Sequence, residues 1–375
     1  LQGVDFLSDL KVRASFGRTG NDAIGNFASR GLYQGAGNYA GQAGIRPTGL
    51  ANTLLGWETN QTVNLGIDFA ILNNRFQFTI DAFERKSKDL LLDQPILWTS
   101  GYSNLTANVG ELVNRGLEFE VRTVNVDVGG FKWASDFNIT FIENKVTSLY
   151  DGLEELPGDP SIRIGHPLGT YFVAEFAGVN PATGRPMWWD INRNLTYLHQ
   201  AADRMVFGNS LPNVFGGFNN VFTYKRFELQ IFFQYEYGRM VSDTQVSFLR
   251  ENGTRLALNA LRETAEARWQ QPGDVTWIPR QINTGTETRG SGRNSGSVNL
   301  QNADYIRLKQ ATLAYNFNPE LLRRAGFNAA KVYAMGVNLW TLTNYVGYDP
   351  EWTTGGASGI IPQSRNLTLG VQLAF

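Results

Sequence analysis

Residues 364–375, SRNLTLGVQLAF, decide the fold. Leu367, Leu369, Val371, Leu373 and Phe375 take every second position, with Thr368, Gly370, Gln372 and Ala374 between them. Successive side chains of a strand point to opposite faces, so one face here is apolar and the other small or polar. The alternation recurs upstream with charges on the polar side: Asp68, Asp81, Glu118, Glu120, Arg122, Asp136, Glu228, Arg307 and Lys309. An unpaired charge is costly to bury, so this face must meet water or a polar plug. Lipid outside and a polar interior is the requirement of a transmembrane β-barrel. The competing reading, the solvated face of a soluble β-sandwich, predicts extraction without detergent and has to explain why so many strands share the pattern.

Counting alternation gives twelve candidate strands, at 9–17, 57–71, 75–89, 112–125, 131–148, 168–177, 185–191, 214–224, 227–240, 304–317, 331–340 and 364–375. Three of them (168–177, 185–191 and 214–224) alternate weakly. Asn73-Asn74 reads as a tight turn, because Asn tolerates positive φ. The apolar phase slips between Leu308 and Ala311, which predicts a β-bulge. Tyr333, Met335, Val337 and Leu339 share one face of their strand. The connections alternate between short (73–74, 127–130, 180–184, 225–226, 318–329) and long (18–56, 90–111, 149–167, 192–213, 241–303, 341–363). Outer-membrane barrels have short periplasmic turns and long extracellular loops, and this parity puts both ends of the chain in the periplasm. Among the long connections, 31–49 and 284–297 are low in complexity and expected to be mobile. Residues 254–269 read as a short helix with Leu258, Leu261, Ala265 and Trp269 near one face.

The 375 residues carry 33 Lys+Arg against 34 Asp+Glu, a net charge of −1 with no basic excess to bind nucleic acid. There is no cysteine, which excludes thiol chemistry and disulfides. The 24 Phe, 14 Tyr, 9 Trp and 40 Gly suit aromatic girdles and turns. No run approaches the roughly 18 apolar residues of a transmembrane helix. The chain opens Leu1-Gln2-Gly3 with no signal peptide, so the expectation is a processed or partial sequence.

Enzyme chemistry finds no constellation. Glu118 and Glu120 share a strand face and could act as an acid/base pair, but a polar barrel wall accounts for them better. Asp349 and Glu351, in Gly347-Tyr348-Asp349-Pro350-Glu351, could hold a cation or form an ordinary turn. Trp188, Trp189 and Trp352 suit a sugar platform or an aromatic belt equally. His166 and His199 lack ligand-spaced partners, so no metal site and no cofactor are expected. The motifs of phosphate loops, nucleophile elbows and zinc proteases are missing. Phe375 would contact lipid, be read by the barrel-assembly machinery, or both.

Taken together, these stretches resemble the SusC/RagA-type TonB-linked outer-membrane proteins. The resemblance rests on KVRASFGRTGND (11–22), WETNQTVNLGIDFAIL (57–72), residues 75–91, NVGELVNRGLEFE (108–120), AGVNPATGRP (177–186), LPNVFGG (211–217), RWQQPGDVTWIPR (268–280), YIRLKQATLAY (305–315), NLWTLTNYVGYDPE (338–351) and the terminal Phe375. No single stretch is decisive; their order and spacing are. The resemblance implies an all-β, antiparallel, plugged 22-stranded barrel in the outer membrane of a Gram-negative bacterium. It also implies a SusD-like surface lipoprotein as lid, and TonB acting through an N-terminal segment. This sequence has no TonB box and no plug domain. About twelve strands as an open sheet would leave edges that hydrocarbon does not tolerate. Residues 1–375 are therefore expected to be the C-terminal part of a TonB-dependent receptor barrel. The expected activity is active import of a large nutrient, an oligosaccharide or a peptide; the alternative is a passive pore formed by a self-contained twelve-stranded barrel.

Overall fold

Alternation becomes long antiparallel strands joined by very short turns at one end and long connections at the other. The computed structural model describes residues 6–22, 24–242, 249, 259–282, 296–324, 326–351 and 362–375. The chain divides into two units, Leu1–Leu168 with Gly216–Thr223, and Gly169–Phe215 with Tyr224–Phe375.

In the first unit the wall strands are β1 (Leu7–Asn21), β2 (Glu58–Ile71), β3 (Phe76–Lys88), β4 (Glu111–Val128) and β5 (Phe131–Ser148), neighbours in that order. Residues 216–223 of β6 (Val214–Tyr224) lie beside β5. The register puts Arg13, Gly66, Asp81, Glu118 and Thr140 in one row across five strands. Val12, Ile67, Ile80, Phe119 and Ile139 form the next row on the opposite face. The β2–β3 turn places Leu72, Asn73 and Asn74 at φ 52°, 56° and 62°, as the Asn-Asn pair predicts. Gly129 and Gly130, at φ 61° and 79°, close the β4–β5 hairpin with the geometry of a two-residue primed turn.

The apolar face has two polar borders. At one, Arg115 pairs with Glu143 at 2.6 Å. At the other, Thr123 Oγ1 donates to Asn125 Oδ1 (2.9 Å), Asn125 Nδ2 to Ser135 Oγ (2.7 Å), and Ser135 Oγ to Asn220 Oδ1 (2.7 Å). Trp133 Nε1 donates to the same Asn220 oxygen at 2.9 Å, and its ring stacks on Phe222. An indole with one wet edge is the side chain that fits a membrane–water boundary. From Arg115 to Asn125 the interval matches the roughly 9–11 residues that a tilted strand needs to cross a bilayer.

In the second unit β7 (Phe227–Tyr237), β8 (Tyr305–Asn316), β9 (Ala329–Thr343) and β10 (Asn366–Ala374) are neighbours in order. The expected bulge is present: the β8–β9 register slips between Leu308 and Gln310, and the β7–β8 register between Phe232 and Phe233. Asn338, at φ 55°, lies on β9 beside the slip. Tyr333, Met335 and Val337 pair with Ala314, Thr312 and Gln310, so they occupy the polar face. The apolar side of β9 is built from Ala330, Val332, Ala334 and Gly336.

Ten of the twelve expected segments are wall strands. Segments 168–177 and 185–191 instead make short strands, Thr170–Ala174, Phe176–Val179 and Pro186–Trp189, in two small separate sheets. The turn at 180–184 therefore lies within one long connection, 149–213, and the alternation of long and short connections is preserved. These strands pair with other parts of the same connection rather than with the wall. Segment 31–49, expected to be mobile, contains a hairpin pairing Tyr33–Tyr39 with Gln42–Pro47. Of the expected helix at 254–269, one turn and a half is seen as α1 (Arg262–Glu266); residues 254–258 lie outside the described residues, as do 284–295. A second short helix, α2 (Pro319–Arg324), lies in the β8–β9 connection.

Candidate functional site

The polar face carries charges in cross-strand pairs. In the first unit Arg13 of β1 reaches two strands: Nε and Nη2 donate to Asp68 at 2.7 and 3.0 Å, and Nη2 to Asp81 at 2.8 Å. Gly66 sits between the two acids, and a Cβ there would collide with Asp81 and the guanidinium. Arg122 bridges Glu120 (2.8 Å) and Asp136 (3.5 Å), and Asn219 donates to Asp136 at 3.4 Å. Glu118 lies in the Arg13–Asp81 row, one row from Glu120, and both belong to a charged wall. In the second unit Lys331 meets Glu228 at 3.3 Å.

The densest cluster lies where the β9–β10 connection folds back on β8. Arg307 Nη2 donates to Asp349 Oδ1 and its Nη1 to Glu351 Oε2, both at 2.6 Å, while Nε donates to Thr341 Oγ1 at 3.0 Å. Lys309 Nζ lies 2.8 Å from both Glu351 oxygens. The side chains of Arg307 and Asp349 are only 4% and 8% exposed, so both partners of this pair are buried, whereas Arg13 is 35% exposed and only Asp81 of its two acids is buried. Asp349 Oδ1 also accepts the Glu351 N–H at 3.0 Å, a turn closed across Pro350. Arg239, at the end of β7, is buried and donates to the Pro350 carbonyl; its Nη1 lies 3.3 Å from Glu236. Tyr305, also buried, donates its hydroxyl to Glu236 at 3.0 Å and stacks beneath Arg307. The sequence admits Asp349 and Glu351 either as turn formers or as cation ligands. The structure makes them the anchor of a loop, already supplied with their own cations. Arg239 lies inside the expected strand 227–240 but on the phase of its apolar residues, so alternation does not flag it as an inward charge; the observed strand ends before it, at Tyr237.

The other singled-out residues sit in the long connections. Trp188 is fully buried, edge-on to Phe176 and His199 (ring centroids 6.0 and 5.3 Å), so it is the core of a small loop sheet rather than an open sugar platform. Trp189 donates its backbone N–H to Glu175 at 3.0 Å, and Trp352 lies outside the described residues. Nearby, Arg185 stacks on Tyr197 and Arg193 pairs with Glu175. Trp269 donates to the Pro181 carbonyl at 2.8 Å and covers Gly184, where a side chain would strike the ring. Burial holds the His199 imidazole below its ordinary pKa. The N–H groups of Asn194, then those of its side chain and of Asn192, hold the Asp190 carboxyl low. His166, 22 residues before Trp188, accepts the Val146 N–H on its backbone carbonyl and takes no part in that cluster. Phe375 is exposed, its ring 5.2 Å from Phe327.

A protein-family model described as "TonB dependent receptor-like, beta-barrel" matches residues 3–339. The chain belongs to that family. TonB-dependent receptor P39 of Formosa agariphila is 29% identical over all of this chain and 41% of its own length. TonB-dependent receptor SusC of Bacteroides thetaiotaomicron is 28% identical over all of this chain and 38% of its own. Among solved structures, a chain of the RagAB peptide transporter superposes with a TM-score of 0.88 at 26% identity, over 100% of this chain and 42% of that one. The wall is therefore a portion of a SusC/RagA-type barrel, as the resemblance implied. The chain spans about two-fifths of the length of the relatives it matches.

Proposed function

We propose that residues 1–375 are the C-terminal part of a TonB-dependent importer of the outer membrane, whose remaining wall strands, plug and TonB-contacting segment belong to the longer protein. The observation that carries the reading is the likeness along the entire chain to SusC and to a RagAB subunit, on a wall with one apolar and one charge-paired face. The cargo is a large nutrient, an oligosaccharide or a peptide, and a SusD-like surface lipoprotein closes over the long connections. The Arg307–Asp349–Glu351 anchor supports this role, because it fixes one of those connections against the polar wall where a lid or cargo would meet it. Phe375, at the end of an apolar row, is the residue the barrel-assembly machinery would read. No catalytic step is assigned to this chain.

The test is purification of the full-length protein from its own outer membrane, with native mass spectrometry and an uptake assay. Co-purification of a surface lipoprotein, and uptake of oligosaccharide or peptide that stops when TonB is removed, is the expected result. Solute flux through the reconstituted protein alone, unaffected by TonB, would replace this reading with a passive pore.

A further inference from the structure

We infer that the apolar face of the second unit holds one anionic phospholipid, its acyl chain lying along β9 and its phosphate at the basic turns beside it. The inference rests on the membrane reading above. The apolar side of β9 is unusually low: Ala330, Val332, Ala334 and Gly336 stand between tall neighbours, Leu313 and Tyr315 on β8 and Leu367, Leu369, Val371 and Leu373 on β10. The result is a groove of about 430 Å³, lined on this face by Phe227, Leu313, Tyr315, Val332, Ala334, Leu369 and Val371. Direct pairing of Phe227 with Tyr315, Tyr315 with Val332, and Val332 with Val371 puts all of these side chains on one face.

Two features choose the occupant. The groove's lining is almost wholly carbon, and its neighbours Leu313, Leu369 and Val371 are exposed, so a hydrocarbon chain gains more burial here than on a flat wall. The groove runs to the short-turn end of the sheet, where Tyr315 meets Phe227 in a tilted contact and Phe317 edge-on, at 4.9 and 5.1 Å. At that end stand Lys225 and Arg226 in the β7 turn, and exposed Arg323 and Arg324 in α2. The Asn316 N–H donates to the Arg226 carbonyl at 2.9 Å, which ties the two turns together. Four cations face one carboxylate of the same turns, Glu320; the next acid, Glu228, is on the polar face with Lys331. That balance fits a phosphodiester with net negative charge better than a zwitterion.

The full-length protein is purified in detergent, reconstituted with equal phosphatidylglycerol and phosphatidylethanolamine, re-extracted, and its retained lipid counted by native mass spectrometry. The wild-type protein is expected to keep one phosphatidylglycerol. Ala334→Phe fills the groove floor and is expected to lower retention about tenfold through lost methylene contacts. Val12→Phe, on the exposed apolar face of β1, is expected to leave retention unchanged. Arg226→Gln with Arg323→Gln is expected to abolish the preference for phosphatidylglycerol. Equal retention by Ala334→Phe, or no preference between the two lipids in the wild type, overturns the proposal, as does a mass showing two copies joined through this face. A protein that is released from membranes without detergent would instead overturn the membrane reading itself.

Discussion

Replacing Arg307 by Met should release residues 344–351 while leaving the wall standing. Arg307 makes three hydrogen bonds, to Asp349 and Glu351 at 2.6 Å and to Thr341 at 3.0 Å. Met fills the space of the aliphatic stem but supplies no donor. Asp349, 8% exposed at its side chain, is then left without its cation. Glu351 keeps Lys309 at 2.8 Å, so only one of the two carboxylates loses its cation. Removing one partner of a buried pair costs about 3–5 kcal/mol, and the retained Lys309 places this case near the lower bound. At ~1.4 kcal/mol per factor of ten, opening of the loop becomes about a hundredfold more frequent. Hydrogen exchange of the full-length protein, read on peptides covering 344–351, measures that change directly. Arg307→Met with Asp349→Asn should recover part of the protection, because Asn keeps the turn to Glu351 and carries no charge. Unchanged exchange in Arg307→Met, or identical exchange in the single and double variants, would refute the idea that this ion pair holds the loop.

Three further outcomes follow from other residues. A Cβ at position 370 would collide with the Tyr333 ring, so Gly370→Ala should cost about 1–3 kcal/mol by overpacking, read as a lower temperature for loss of the folded band on unheated electrophoresis. His199 is held below its usual pKa by burial, so the unfolded loop binds more protons than the folded one as pH falls below about 6.5. Stability of the Trp188 sheet should therefore decline as pH falls through that window, visible as a change in Trp188 fluorescence that His199→Gln flattens; a wild-type signal constant between pH 7 and 5 counts against it. Phe375→Ser should reduce the amount of assembled barrel in the outer membrane without altering the transport rate per assembled molecule, measured by surface labelling beside uptake.

The wall was legible because hydrocarbon on one side and water on the other impose a period of two that is sustained over long strands. Val63-Asn64-Leu65-Gly66-Ile67-Asp68 can be assigned to faces from the sequence alone, and the register of β1, β2 and β3 agrees. The bulge was legible for the same reason, as a slip of that period near Leu308. The connections were not. A segment such as Pro186–Trp189 carries its own small sheet, and its burial comes from His199 and Phe176 rather than from lipid, so alternation could not separate it from the wall. The Arg307 anchor was half legible: Arg307 was recognised as an inward charge and Asp349–Glu351 as a motif. Their union depends on how a long loop folds back, which local pattern does not encode.

The two kinds of charge on the polar face do different work, and burial separates them. Arg13, Asp68, Arg122 and Glu120 are each about a third or more exposed, or close to it, with side-chain exposures of 35%, 30%, 63% and 41%. Screened pairs of this kind contribute little to stability. Arg307 and Asp349 are removed from water, and a buried pair is poor evidence of stabilisation, since well-packed apolar residues often serve as well. What such a pair does provide is direction: the guanidinium fork meets Asp349 and Glu351 together and so fixes where the turn lies. The Pro350 carbonyl, taken by Arg239, adds a second fixed point on the same turn. A loop held at two points in this way presents one defined surface rather than a range of positions.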